Sequence, residues 1–152
     1  MATPYTEVLV FACNWDGWSC IETATNLGLH YPASVKVVKV SCLSRLHVGL
    51  ILKAFQFGAD GVMLLGCEQG RCRFGADSEH TINEYEKARS ILEMLGMSRG
   101  RLILAQIPAF GGRQFVTQVM SLIEEIEEMR AFKHARLMGP GLPQDITVQQ
   151  RL

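Results

Sequence analysis

The sequence lacks the features that would place the protein in a membrane or an export pathway. No apolar run approaches the roughly 18 residues that a helix needs to span a bilayer. The first six residues also lack the charged-then-apolar pattern of a signal peptide. We therefore expect a cytoplasmic protein without a membrane span.

The chain also lacks an excess of charge of either sign. Fifteen basic residues balance fifteen acidic residues, so the formal net charge is zero. Nucleic acids and anionic membrane surfaces attract proteins through excess positive charge, so we expect neither as a main partner. The sequence contains no internal repeat at solenoid spacing and no low-complexity tract. We expect the partner to be a protein or a small molecule.

The length and the apolar content predict one ordinary domain. With 152 residues, 48% of them hydrophobic, the chain can bury a full core without disulfides. The end of the chain contains several glycine and proline residues, and its apolar residues show no regular spacing. We expect an α/β domain over residues 1–136 and, over residues 137–152, a C-terminal tail or an arm that orders on a partner.

Short apolar runs alternate with amphipathic stretches along the domain. The runs predict strands at residues 7–13, 35–42, 61–67 and 101–107, and the stretches predict helices at about residues 21–29, 46–57, 81–96 and 113–136. The third helix begins with Thr81 and Glu84 in the pattern of a capping box. Alternating strands and helices predict a single three-layer α/β domain, with a four-stranded parallel sheet in the flavodoxin-like order 2-1-3-4.

The five cysteines are concentrated where the predicted strands end. Cys13, Cys42 and Cys67 each end a strand, and Cys72 follows five residues after Cys67. In the predicted order these three strands are neighbours about 4.8 Å apart, so the thiols should converge at one edge of the sheet. Four convergent thiolates are the ligand set of a 2Fe-2S cluster or of structural zinc.

Two alternatives use the same cysteines. The cysteines of a zinc site usually occur in close pairs, whereas the spacings between Cys13, Cys42 and Cys67 match the length of a βα unit. A domain with a full hydrophobic core also needs no structural ion to fold. The segment from Cys67 to Arg73 also fits C-x5-R, the phosphate-binding loop of cysteine-dependent phosphatases. Those loops usually continue with Ser or Thr, and Phe74 stands there instead. A thiol enzyme and a zinc-stabilised interaction module remain open as alternatives.

Three arginines lie close to cysteines in the sequence. Arg45, Arg71 and Arg73 are either solvated surface charges or residues that offset the negative charge of a cluster and attract an acidic partner. Trp15 and Trp18 in the first loop suit packing or an interface better than chemistry.

Four motifs in one order resemble the delta subunit of methyl-viologen-reducing hydrogenase. They are Val-Phe-Ala-Cys13-Asn-Trp, Val-Ser-Cys42-Leu-Ser-Arg45, Ala54-Phe55-Gln-Phe-Gly58-Ala-Asp-Gly61-Val and Gly66-Cys67-Glu-Gln-Gly70-Arg-Cys72. The resemblance covers roughly residues 7–128. It implies a non-catalytic electron-transfer subunit with a 2Fe-2S cluster. Such subunits link a hydrogenase or formate dehydrogenase to a heterodisulfide-reductase-A-like flavoprotein that bifurcates electrons.

The chain departs from that family at several of its motifs. The usual Cys-Asn-Trp-Cys ends here in Asp16, and the His-Pro-Gly-Asp between the last two cysteines is replaced by Glu68-Gln-Gly-Arg71. Cys20 should point away from the site from within a helix. The resemblance therefore implies cluster ligands from the four other cysteines, Cys13, Cys42, Cys67 and Cys72. The departures indicate a divergent branch, for which an anaerobic benzoyl-CoA reductase complex is one candidate assembly.

Overall fold

The structure, a computed structural model, describes residues 5–74 and 78–139. The strands are β1 (Val8–Cys13), β2 (Val35–Val40), β3 (Gly61–Gly66) and β4 (Leu102–Gln106). The helices are α1 (Asp16–Asn26), α2 (Val48–Gln56), α3 (Ser78–Met94) and α4 (Gly112–Met138), with short 3-10 turns at Leu43–Arg45 and Arg99–Arg101.

The four strands form one parallel sheet in the order β2-β1-β3-β4. This confirms the predicted α/β fold class and strand order. Every residue of β3 is buried, as a continuous apolar run requires when helices cover both faces of a sheet. Gly61, at the start of β3, allows close packing, because a Cβ there would lie 2.5 Å from Ile126 Cδ1.

Helices cover both faces of the sheet. α1 and α4 pack on one face, and the predicted apolar stripe of the last helix is buried there, which confirms its orientation: Phe115, Val119, Leu122, Ile123 and Ile126. α2 and α3 cover the other face, around Ile51 and Leu92. Each face therefore has its own hydrophobic core, and the sheet separates the two.

Two helix starts differ from the sequence-based expectation. α1 begins at Asp16, five residues earlier than expected, because the turn-forming pair Asp16 and Gly17 supplies its first turn. The predicted capping box of the third helix is wrong, since α3 begins at Ser78 and Thr81 lies inside it. Glu84 instead accepts a hydrogen bond from the backbone N–H of Val48 at 2.8 Å, and so satisfies one of the free N–H groups in the first turn of α2.

The last helix continues two residues further than expected, to Met138. From residue 140 onward, the predicted tail lies outside the described residues. Across residues 5–74 and 78–139, no helix is both long and apolar enough to cross a bilayer.

Candidate functional site

Three cysteines lie at the carboxyl edge of the sheet, where β2, β1 and β3 are neighbours. Cys13 is the last residue of β1, Cys67 directly follows β3, and Cys42 lies two residues beyond β2. Cys13 is in register with Val40 of β2, and Ala12 is in register with Leu65 of β3. This edge of a parallel sheet is where doubly wound proteins bind ligands.

The structure brings Cys13 and Cys67 into direct contact. Their Sγ atoms are 3.5 Å apart. A disulfide requires about 2.05 Å, and both residues are free thiols here. The two sulfurs come from neighbouring strands that are 54 residues apart in sequence. They are therefore placed to share one ligand.

Cys42 lies in the segment after β2, and Cys72 lies in the loop after β3. Both are partly buried, and Cys42 Sγ accepts a hydrogen bond from Ser44 Oγ at 3.2 Å. Within the described residues, no three or more His, Cys, Asp or Glu side chains lie close enough together to hold a metal ion. The structure thus brings two of the four predicted ligands together, and the participation of Cys42 and Cys72 stays a prediction.

The first turn of α1 directs backbone N–H groups at both paired sulfurs. Gly17 N–H donates to Cys13 Sγ at 3.2 Å, and the backbone of Asp16 is hydrogen-bonded to the Cys67 sulfur. A Cβ at residue 17 would lie 2.5 Å from the Leu65 carbonyl oxygen and 3.1 Å from Cys13 Sγ, so only glycine fits without displacement. N–H groups at a helix start favour negative charge on sulfur.

Two buried polar atoms without partners belong to residues that follow Cys13 closely in sequence. Trp15 Nε1 and Asp16 Oδ2 are inaccessible and make no hydrogen bond in the described part of the chain. Such atoms are rare in folded proteins and often mark a place where a ligand or ion completes the structure. Together with the thiol pair and its amide donors, they fit a thiolate-bound metal group better than they fit a purely structural corner.

Burial raises the pKa of the Cys67 thiol to about 12. The backbone hydrogen bond from Asp16 acts in the opposite direction, and contact with Cys13 raises the pKa further. A phosphatase nucleophile needs the reverse, a thiol whose pKa is lowered towards neutrality. The pKa of Cys67 therefore gives no support to the C-x5-R hypothesis, whereas a bound metal would displace the thiol proton.

Cys20 belongs to a different environment from the paired cysteines. It is fully buried in the core formed by α1 and α4, whereas Cys13 belongs to the core on the α2 and α3 side. Its Sγ donates to the Gly17 carbonyl oxygen at 3.2 Å. Burial, followed by the negative charges of Cys13 and Asp16, raises the pKa of Cys20 to about 12. Its side chain therefore points into the core on the α1 and α4 side, and its expected absence from the ligand set stays a prediction.

The loop after β3 folds back over the start of α1. The Arg73 guanidinium lies 4.3 Å from the centre of the Trp15 ring, and Phe74 contacts that ring edge-on at a centroid distance of 6.1 Å. Arg71 lies 3.7 Å from Glu68, and Arg45 is exposed on the turn that follows Cys42. These aromatic and cation contacts were not predicted, because they join loops that are far apart in sequence.

Comparison with known proteins gives a consistent result. The profile of the family described as methyl-viologen-reducing hydrogenase, delta subunit, matches residues 8–130. The chain is 30% identical over 123 residues to an iron-sulfur subunit of F420-non-reducing hydrogenase vhc from Methanococcus voltae, covering 81% of this chain and 85% of that protein. It is also 30% identical over 130 residues to the corresponding iron-sulfur subunit of F420-non-reducing hydrogenase from Archaeoglobus profundus, covering 86% and 95%.

A longer relative contains a similar segment within a larger chain. Over 122 residues the chain is 27% identical to a subunit of ferredoxin:CoB-CoM heterodisulfide reductase from Methanosarcina mazei. The match covers 80% of this chain but only 15% of that relative. These relatives are subunits of hydrogenases and heterodisulfide reductases. The chain belongs to the methyl-viologen-reducing hydrogenase delta subunit family, as a divergent member.

Proposed function

We propose that this protein is a non-catalytic electron-transfer subunit that carries a 2Fe-2S cluster on Cys13, Cys42, Cys67 and Cys72. The observation that carries the proposal is the sulfur pair of Cys13 and Cys67, 3.5 Å apart, with the Gly17 N–H donating to Cys13 Sγ at 3.2 Å. The names of two relatives, which call them iron-sulfur subunits, support the same class of cofactor.

The protein side chains have distinct roles in this proposal. The cluster supplies one-electron redox chemistry, and the four thiolates hold it. The N–H groups of Asp16 and Gly17 stabilise negative charge on the Cys67 and Cys13 sulfurs, which favours the reduced state of the site. Arg45, Arg71 and Arg73 offset the charge of four thiolates from the surrounding loops.

The proposed partners follow from the relatives. In the Methanosarcina mazei protein, a segment of this kind is part of a much longer heterodisulfide reductase chain. We infer that the separate chain docks on a heterodisulfide-reductase-A-like flavoprotein and receives electrons from a hydrogenase, a formate dehydrogenase or another oxidoreductase subunit. Electron bifurcation in an anaerobic cytoplasmic complex is part of this proposal, and a benzoyl-CoA reductase type of complex is its most specific form.

The metal and sulfide content of the protein tests the proposal directly. Protein produced and purified anaerobically with cluster assembly intact should be brown, with ferredoxin-like visible absorption that bleaches on reduction. Iron and acid-labile sulfide should be present in equal amounts, about two of each per chain. Colourless protein that contains zinc would support the interaction module instead. Metal-free protein that hydrolyses an aryl phosphate would support the thiol enzyme, and either result would contradict the proposal.

A further inference from the structure

The C-terminal part of α4 extends beyond the body of the domain. The core-facing stripe ends at Ile126, with Met129 only partly buried, and every residue from 130 to 139 is exposed. Phe132, Leu137 and Met138 are 71%, 78% and 73% exposed. We call residues 130–138 the overhang. It begins where the match to the family profile ends, at residue 130.

A groove runs between the overhang and the connection from α3 to β4. Its volume is about 660 Å³, and its lining includes Leu95, Met97, Met129 and Phe132. Leu95 is 68% exposed, and Met94 beside the groove is 85% exposed. The groove thus combines exposed apolar side chains with the charged side chains of Arg101, Glu128 and Lys133, as protein interaction sites commonly do. A helix segment of nine residues also gains little stability in water without tertiary packing, so a covering partner would stabilise the overhang.

Unpaired charges of opposite sign are separated along this part of α4. Glu124, Glu125 and Glu128 lie before the overhang, and Lys133 and Arg136 lie within it. None of these five side chains forms an ion pair with any residue in the described part of the chain. Arg130 is excluded from this set because it lies 2.7 Å from Asp60. The surface is therefore acidic at one end and basic at the other.

We propose that the overhang and its groove bind a second copy of this chain, with the two α4 helices antiparallel. Antiparallel pairing is the arrangement that sets each acidic end against the basic end of the other copy, so the surface is self-complementary. Glu128, Phe132 and Arg136 are spaced four residues apart and lie along one side of α4. A two-fold axis near Phe132 then places the two Phe132 rings together and pairs Glu128 with Arg136 of the second copy.

Charge reversal on the full-length protein tests this pairing. Sedimentation over a range of concentrations should show a reversible dimer for the unchanged protein. Arg136→Glu sets like charges opposite each other at two symmetry-related places, so the dimer dissociation constant should rise about tenfold or more. Glu128→Arg should weaken the dimer similarly. The double variant Glu128→Arg/Arg136→Glu exchanges the two charges and should restore the dissociation constant to within about threefold.

The controls separate pairing from general effects of charge. Arg113→Glu changes an exposed arginine near the other end of the same helix and should leave the dimer unchanged. A monomer at every concentration, or a double variant no better than the single variants, would overturn the proposal. So would chemical crosslinks in the native complex that join residues 132–138 to a different protein of that complex. The cluster content measured on the same samples reports separately on the proposed function.

Discussion

Two polar clusters, one at each edge of the sheet, differ in how fully their groups are hydrogen-bonded. At the amino edge, Asp60 accepts the backbone N–H of Glu7 at 2.9 Å and forms an ion pair with Arg130 at 2.7 Å. At the carboxyl edge, Trp15 Nε1 and Asp16 Oδ2 are buried without partners, in the described part of the chain, beside two thiols in contact. The Asp60 carboxylate has its partners within the chain, whereas the polar atoms of Trp15 and Asp16 have none in the described residues.

The difference indicates that the Asp60 cluster serves stability and that the cluster around the paired thiols serves function. A network with all its partners present contributes to the folded state and has no need of a ligand. Buried groups without partners cost stability, and proteins retain them mainly where binding or chemistry offsets that cost. The amino edge should therefore respond to mutation through the free energy of unfolding, and the carboxyl edge through bound iron.

The largest effect should come from the thiols of the carboxyl edge. Cys13→Ser and Cys67→Ser each replace a thiolate by a hydroxyl, which is a poorer ligand for iron, and bound iron should fall about tenfold or more. Cys42→Ser and Cys72→Ser should do the same if those residues complete the set. The measurements are iron and sulfide per chain and the visible spectrum after anaerobic reconstitution.

Cys20 provides the matched control for these substitutions. Cys20→Ser keeps a hydrogen-bond donor next to the Gly17 carbonyl and lies in the other core, so iron content and spectrum should stay nearly unchanged. Loss of the cluster in Cys20→Ser, with retention in Cys72→Ser or Cys42→Ser, would replace one of the proposed ligands by Cys20. Retention of the cluster in Cys13→Ser would contradict the role of the sulfur pair.

A smaller effect, confined to stability, should follow from changes at the amino edge. Asp60→Asn removes the ion pair to Arg130 and weakens the bond to the Glu7 amide, and should lower the free energy of unfolding by about 1 kcal/mol. The magnitude is modest because the side chains of Arg130 and Asp60 are 44% and 20% exposed. Denaturant unfolding of the apo-protein measures the change, and iron content should be unaffected.

A double-mutant cycle tests whether the stability lost in Asp60→Asn comes from the ion pair with Arg130. Arg130→Gln should cost about as much as Asp60→Asn, and the double variant should cost less than the sum of the two. Arg113→Gln removes an exposed arginine from the same helix and should change stability little. If Asp60→Asn reduced bound iron as strongly as Cys67→Ser does, the assignment of stability to the Asp60 cluster and of iron binding to the thiols would be wrong.

The sequence predicted the fold well because the signals that define it are local. Apolar runs, their alternation with amphipathic stretches and the stripe from Phe115 to Ile126 all lie within short windows, and chain connectivity then favoured the observed strand order. The capping box failed because Glu84 bonds Val48, which is 36 residues away. Sequence spacing within one helix cannot reveal a partner on another.

The sequence predicted the contact between two of the cysteines but not the groups that surround them, and the four-ligand set stays a prediction. Cys13 and Cys67 were expected together because they end neighbouring strands, and their sulfurs are in contact. The N–H donors from Asp16 and Gly17, and the Arg73 contact with Trp15, depend on where loops meet in three dimensions. The only sequence signal for the donors was the pair Asp16 and Gly17, which was interpreted as a turn and is the start of α1.

The effect that is least visible at neutral pH is an alkaline loss of stability that arises from the buried thiols. Burial raises the pKa values of Cys67 and Cys20 from 9.0 to about 12, so the unfolded chain releases these protons at lower pH than the folded apo-protein does. The stabilisation is complete below about pH 9 and is lost as pH rises towards 12. The melting temperature of apo-protein should therefore fall across that window. Cys67→Ser and Cys20→Ser each remove one titrating group and should flatten the decline, whereas Asp60→Asn should lower the melting temperature without changing its slope. A melting temperature of the unchanged apo-protein that stays constant throughout this window would show that the carboxyl-edge thiols are not held in their protonated form.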